Sequence, residues 1–208
     1  MDTPTIWRLL LRRLISNDVT MVGHSTGGGE VARYGRHGTK RVRAAVLIAA
    51  VPPWCSQLPI QEFQSKYLTD RTVALQGIGR SLQRLPLPFY GANRPGAKVS
   101  QATLDQFWLW SSMQGRLKNI YDSVKAFSET DFTEDLKKFD VRTLVMYGED
   151  DQIVPINDTG KKSAKLIKGA KEIYYPGLPH GLTATNADQV NADLLASLKS
   201  VYTARGEA

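Results

Sequence analysis

The chain has 208 residues, 42% of them hydrophobic, with a single cysteine and a formal net charge of +7. A chain of this length can bury one sizeable core, and its hydrophobic content argues against disorder. The 27 Lys and Arg residues are dispersed, with no basic run that alternates with aromatics, so we expect no nucleic-acid partner. Cys55 alone excludes an internal disulfide, which favours a reducing, cytoplasmic location.

The first predicted element is an amphipathic helix within residues 5–16. Its apolar stretch is short and interrupted by Arg8, Arg12 and Arg13, unlike a signal peptide or a membrane-spanning helix. A transit peptide is the alternative, but its cleavage would remove the lead-in to the strand that follows. No other segment is long and apolar enough to cross a membrane, so we expect no membrane partner.

A predicted strand, Val19–Val22, leads into the pentapeptide G-H-S-T-G and then into a predicted helix. G-x-S-x-G between a strand and a helix is typical of a nucleophile elbow, in which the serine stands on a sharp turn. We therefore predict that Ser25 is a nucleophile, the alternative being an ordinary loop serine. We expect Gly23 and Gly27 both to be required, because a Cβ at either position would clash with neighbouring backbone.

An acid and a histidine follow two later strands. Asp150 and Asp151 come after the apolar run Thr143–Tyr147, and His180 comes after Glu172–Tyr175. Residues after parallel strands lie at the carboxyl edge of the sheet, where sites in open α/β sheets are found. The order Ser, Asp, His is that of α/β-hydrolases. The spacing G-x-x-D favours Asp151 as the acid on the imidazole and leaves Asp150 as a solvated loop carboxylate.

The three histidines have different predicted roles. We expect His180 to act as the base and to reach Ser25 by a hydrogen bond, the alternative being an ordinary loop histidine. His24 should point away from the serine and serve only packing, and His37 occupies a helix C-terminal signature. No cluster has metal-ligand spacing, and Gly27–Gly29 lack the Lys-Ser/Thr pair of a phosphate loop, so we expect neither metal nor cofactor.

The middle of the chain indicates a helical cap inserted into an α/β fold. Residues 54–134 contain no strand-like run and instead show loop clusters and a helical repeat of apolar residues. Phe107, Trp108 and Trp110 could line an acyl pocket, although such an aromatic stripe is more often cap core. The predicted division is core 1–52, cap 53–135 and core 136–208.

Several stretches resemble the cofactor-free (non-haem) haloperoxidase branch of the α/β-hydrolases, namely 24–34, 89–98, 125–155, 176–183 and 191–195. Relatives in this branch are described as haloperoxidases, perhydrolases and arylesterases. The resemblance implies that Ser25 is the nucleophile, Asp151 the orienting acid and His180 the base.

The chain departs from this family at its start. Family members carry several tens of residues earlier, including a His-Gly-x-Pro-type loop that supplies one oxyanion N–H, while Thr26 would supply the other. We therefore expect an N-terminally truncated α/β-hydrolase fold with about four parallel strands remaining. The strand Val19–Val22 would then lie at an exposed edge and could pair with a second copy of the chain.

The expected reaction is acyl transfer on a small ester or carboxylic acid. The resemblance implies that hydrogen peroxide can replace water as the acceptor, giving a peracid that oxidises halide without haem or metal. The alternative is a weak or inactive remnant that serves at most as a binding module. Loss of one oxyanion donor lowers turnover by about a hundred- to a thousandfold in known cases.

Overall fold

The computed structural model describes residues 9–11, 17–35, 41–51, 53, 85–97, 99–113 and 117–203. These residues form one four-stranded parallel sheet in the order β1-β2-β3-β4. The strands are β1 (Val19–His24), β2 (Val42–Ile48), β3 (Arg142–Gly148) and β4 (Lys171–Tyr175). The predicted α/β fold with about four parallel strands is confirmed.

The described helices are α1 (Gly27–Gly35), α2 (Pro86–Phe89), α3 (Gln101–Met113), α4 (Leu117–Glu129), α5 (Thr133–Lys137), α6 (Gly160–Leu166), α7 (Leu182–Thr185) and α8 (Ala187–Thr203). Much of the predicted N-terminal helix lies outside the described residues, but residues 9–11 are helical and Leu11 is buried. Within the described residues, no helix combines the length and apolar content needed to cross a membrane.

The two central strands are buried because their side chains are apolar on both faces, as parallel strands covered by helices require. Val46 and Leu47 of β2 and Val145 and Met146 of β3 are almost completely inaccessible. β1 pairs with β2 and lies at one edge of the described sheet, as predicted. Its Val22 side chain is 49% exposed, so this edge presents apolar surface.

The described part of the predicted cap consists of α2, α3, α4 and most of α5, while residues 54–84 of the cap prediction lie outside the described residues. α5 is fastened to α1 by an ion pair, with Arg33 Nε 2.8 Å from the buried Asp135 carboxylate. The Arg33 guanidinium also lies over the Phe132 ring. The predicted boundary after residue 135 lies within α5, and the division into core and cap stays a prediction.

Candidate active site

The backbone at Ser25 makes a sharp turn between β1 and α1. Ser25 has φ of 54°, in the left-handed region that non-glycine residues rarely adopt. Its N–H donates to the Ile48 carbonyl at 3.1 Å, and its carbonyl accepts from Gly28 and Val51 at 3.0 Å each. These bonds to the end of β2 and the start of α1 hold the residue in a strained conformation, a feature common at functional sites.

Close packing around this turn depends on Gly23 and Gly28. A Cβ on Gly23 would overlap the Gly27 carbonyl, and a Cβ on Gly28 would overlap the Ala50 side chain. A Cβ on Gly27 would meet nothing within 4 Å. The expectation that Gly27 needs to lack a side chain is therefore wrong, because its Cα faces open space at the start of α1.

We expect Gly23→Ala to lower the free energy of unfolding by about 3 kcal/mol, because the new methyl group meets backbone atoms that cannot rotate away. Gly27→Ala is the matched control and should change it by less than about 0.5 kcal/mol. Urea denaturation followed by circular dichroism gives both values. Equal losses in the two variants would contradict this account of the turn.

Asp151 and His180 form a buried pair at the carboxyl ends of β3 and β4. The Nδ1–H of His180 donates to Oδ2 of Asp151 at 2.6 Å, and both side chains are inaccessible to solvent. Oδ1 of Asp151 accepts backbone N–H bonds from Ile153 and Val154 at 2.8 Å each. The carboxylate is therefore held on both oxygens and fixes the orientation of the imidazole.

Asp150 points elsewhere, as the spacing predicted, but it is not simply solvated. Its carboxylate forms an ion pair with Arg94. Beside this pair, the Asn93 and Gln152 amides bond reciprocally at 2.9 and 3.1 Å. These contacts join the segment after α2, which carries Asn93 and Arg94, to the loop that carries Asp150 and Asp151.

The predicted hydrogen bond between Ser25 and His180 is not formed. Nε2 of His180 is buried and has no hydrogen-bond partner among the described residues. The imidazole is instead held by ring contacts, with the Phe89 ring at 4.7 Å and the His24 ring at 4.9 Å between centroids. Catalytic hydrogen bonds often form only when substrate binds, so a buried Nε2 without a partner is also the arrangement expected of a histidine base before substrate binds.

Phe89 is the aromatic residue that sequence reasoning missed. Its ring stands edge-on to His180, and its carbonyl accepts the Gly181 N–H at 2.7 Å. The Phe107 ring lies 4.7 Å from the Phe89 ring and 5.7 Å from the Tyr90 ring between centroids, so Phe107 touches a ring that in turn contacts the His180 imidazole. The only earlier signal for Phe89 is its place in the stretch 89–98 that resembles the family.

The other two aromatic candidates lie at the surface. Trp108 and Trp110 are 44% and 54% exposed, so neither is packed into a cap core. A substrate-pocket role for them stays a prediction.

Thr26 directly follows Ser25 and precedes α1. Its side chain is exposed, its carbonyl accepts from Gly29 at 3.0 Å, and its own N–H has no hydrogen-bond partner in the described part of the chain. A free backbone N–H beside the serine is the arrangement that an oxyanion site requires.

Comparison with known proteins identifies the family of this chain. The alpha/beta hydrolase fold family matches residues 5–186. This chain belongs to the α/β-hydrolase family. The hydrolase is 47% identical to a non-heme haloperoxidase of Rhodococcus erythropolis over 194 residues, covering 88% of this chain and 68% of that protein.

Two further relatives support the family resemblance. A bifunctional esterase/perhydrolase of Acinetobacter calcoaceticus is 46% identical, covering 86% of this chain and 66% of that protein. The crystal structure of bromoperoxidase from Bacillus anthracis matches with a TM-score of 0.82 at 34% identity, covering 94% of this chain and 72% of that one. The hydrolase spans about two thirds of the length of the curated relatives it matches.

A cavity of about 690 Å³ is lined in part by residues that adjoin Asp151 and His180 in the chain. Its lining includes Tyr90, Arg94, Val99, Asp150 and Leu178 but neither Ser25 nor His180. In the part of the chain that the structure describes, no three His, Cys, Asp or Glu side chains are grouped to hold a metal ion.

Proposed function

We propose that this α/β-hydrolase cleaves carboxylic esters through an acyl-enzyme, with Ser25 as nucleophile, His180 as base and Asp151 as orienting acid. The observation that carries the proposal is the buried bond between Asp151 and His180, which lies at the same carboxyl edge of the parallel sheet as the strained turn at Ser25. A base whose Nδ1–H is held by a carboxylate has a lone pair on Nε2 that can take a proton, and Nε2 of His180 is buried without a hydrogen-bond partner among the described residues.

The proposed reaction proceeds in two acyl-transfer steps. Ser25 Oγ attacks the ester carbonyl carbon while Nε2 of His180 takes its proton, and Thr26 N–H stabilises the resulting oxyanion. The tetrahedral intermediate collapses, and the imidazolium gives its proton to the leaving alcohol. Water then attacks the Ser25 ester with His180 again as base, which releases the carboxylic acid and restores the serine.

Hydrogen peroxide is proposed as a second acceptor. If it attacks the acyl-enzyme in place of water, the product is a peracid, RCO₃H. The peracid then oxidises halide, RCO₃H + X⁻ → RCO₂⁻ + HOX, outside any metal site. The names of the relatives, an esterase/perhydrolase and several non-heme haloperoxidases, support this route.

The alternative of an inactive remnant has less support. The described residues contain the Asp151–His180 pair, the strained serine and a free oxyanion N–H in one place, and none of these features is needed for a passive binding module.

We expect hydrolysis of p-nitrophenyl acetate to be unaffected by EDTA, because the proposed steps use only side chains and a backbone N–H. Adding peroxide and bromide with acetate as acyl source should brominate an indicator dye at a rate that is also unaffected by EDTA. Loss of either activity on chelation, with recovery when a divalent metal is added back, would contradict the proposed chemistry.

We also propose that the β1 edge allows self-association, because no strand pairs with its outer side among the described residues and Val22 is exposed there. Light scattering after size-exclusion chromatography tests this, with a dimer expected and a monomer contradicting it. A cytoplasmic location stays a prediction from the lone cysteine.

A further inference from the structure

His24 is a half-buried titratable group that the proposed mechanism does not use. Its Nε2 lies 3.1 Å from the backbone carbonyl oxygen of His180. Its ring also lies 4.9 Å from the His180 ring and 6.0 Å from the Phe89 ring. The sequence predicted only packing for this residue, so the polar contact with the base is unexpected.

The contact fixes the tautomer of His24. A carbonyl oxygen can only accept, so Nε2 of His24 carries the proton. Burial lowers the pKa of His24 below its ordinary value of 6.5, and the nearby His180 lowers it further, against smaller opposing effects of the bond itself and of Asp151. His24 is therefore a neutral Nε2–H donor at neutral pH, and it adds no charge beside the imidazolium that forms on His180.

Because of its position in the chain, His24 connects Ser25 with the loop that carries His180. His24 is the last residue of β1 and is covalently joined to Ser25. Two other backbone bonds hold the loop that carries His180. The Gly181 N–H donates to the Phe89 carbonyl, and the Asp150 N–H donates to the Leu178 carbonyl. Those bonds join the His180 loop to α2 and to the loop that carries Asp151, whereas the His24 bond joins it to the turn that carries Ser25.

We propose that His24 is a positioning residue, whose Nε2–H bond to the His180 carbonyl sets the distance between the base and Ser25. The proposal rests on the proposed function of that site. Proton transfer requires Nε2 of His180 to come within hydrogen-bond reach of Ser25, and Nε2 has no hydrogen-bond partner among the described residues. The spacing between the turn that carries Ser25 and the loop that carries His180 therefore controls how often the proton is transferred.

Two substitutions separate the donor from the ring. His24→Phe keeps an aromatic ring against Phe89 and removes the N–H, whereas His24→Gln keeps an N–H at a similar reach. We expect His24→Phe to lower kcat for p-nitrophenyl acetate by about five- to tenfold with KM unchanged, the size expected for one lost neutral hydrogen bond. His24→Gln should recover kcat to within about twofold of the unmodified chain.

Thr20→Val is the matched control. It removes a side-chain hydrogen bond from the same strand, between Thr20 Oγ1 and Tyr202 Oη at 3.2 Å, far along the strand from the base. We expect kcat to be unchanged in this variant. An unchanged kcat in His24→Phe, or equal losses in His24→Phe and His24→Gln, would overturn the proposal in favour of a packing role.

A measurement without substrate distinguishes failure of this inference from failure of the proposed function. Nitrogen-15 NMR of labelled histidine should show His24 protonated at Nε2, and the low-field proton of the His180–Asp151 bond should broaden in His24→Phe but not in His24→Gln. A His24 protonated only at Nδ1 would overturn the inference even in an active enzyme. A chain without esterase activity that still shows both signatures would contradict the proposed function alone.

Discussion

Ser25→Ala should lower kcat for p-nitrophenyl acetate hydrolysis by at least about 10⁴-fold, because removal of the nucleophile leaves only binding and the oxyanion N–H. Alanine keeps the Cβ, so the backbone strain at φ of 54° and the bonds to Ile48, Gly28 and Val51 remain. The melting temperature should therefore change little. Steady-state kinetics and thermal denaturation of both chains check the two halves of this result.

Ser25→Gly is the informative control for the strain. It should be as inactive as the alanine variant, but more stable than it by about 1 kcal/mol, because glycine adopts a positive φ without steric cost. Activity retained in either variant would place the nucleophile elsewhere. A glycine variant no more stable than the alanine variant would show that the turn is not strained.

Asp151→Asn should lower kcat by about 10⁴-fold while the fold is kept. The asparagine oxygen can still accept the two N–H bonds of Ile153 and Val154, which leaves its NH₂ group facing Nδ1 of His180. An NH₂ group donates a hydrogen bond and cannot accept one, so the imidazole adopts the tautomer with an acceptor at Nδ1 and the proton at Nε2. In that tautomer Nε2 has no lone pair with which to take the Ser25 proton.

Asp150→Asn is the matched control on the neighbouring residue. Its partner Arg94 is 40% exposed, and ion pairs at such positions contribute little. We expect kcat to fall by less than about threefold. Comparable losses in the two asparagine variants, measured at the same pH, would contradict the assignment of Asp151 as the orienting acid.

The parallel sheet could be predicted from the sequence because its strands are apolar over whole runs. The prediction Thr143–Tyr147 differs from β3 by one residue at each end, and Glu172–Tyr175 differs from β4 by one. The predicted strand Val19–Val22 stops two residues short of β1, because Gly23 and His24 were assigned to the turn. The apolar strand pattern and the place of Asp151 after a strand were enough to predict its contact with the His180 imidazole.

Contacts between distant segments of the chain could not be predicted from local sequence patterns. Phe89 reaches His180 across the fold, and the bond between His24 and the His180 carbonyl depends on how two loops approach each other. Gly27 was misjudged for the same reason, since the symmetric motif does not show which glycine meets another backbone. Such features follow from tertiary packing and carry no local signal.

Covalent labelling of the serine tests the central claim most directly. The chain is treated with a p-nitrophenyl phosphonate ester, digested and mapped by mass spectrometry, beside the Ser25→Ala chain. The account predicts one phosphonyl adduct, on the peptide that contains Ser25, with loss of esterase activity in proportion to labelling. Labelling at another residue, or full activity in a chain fully labelled at Ser25, would contradict it.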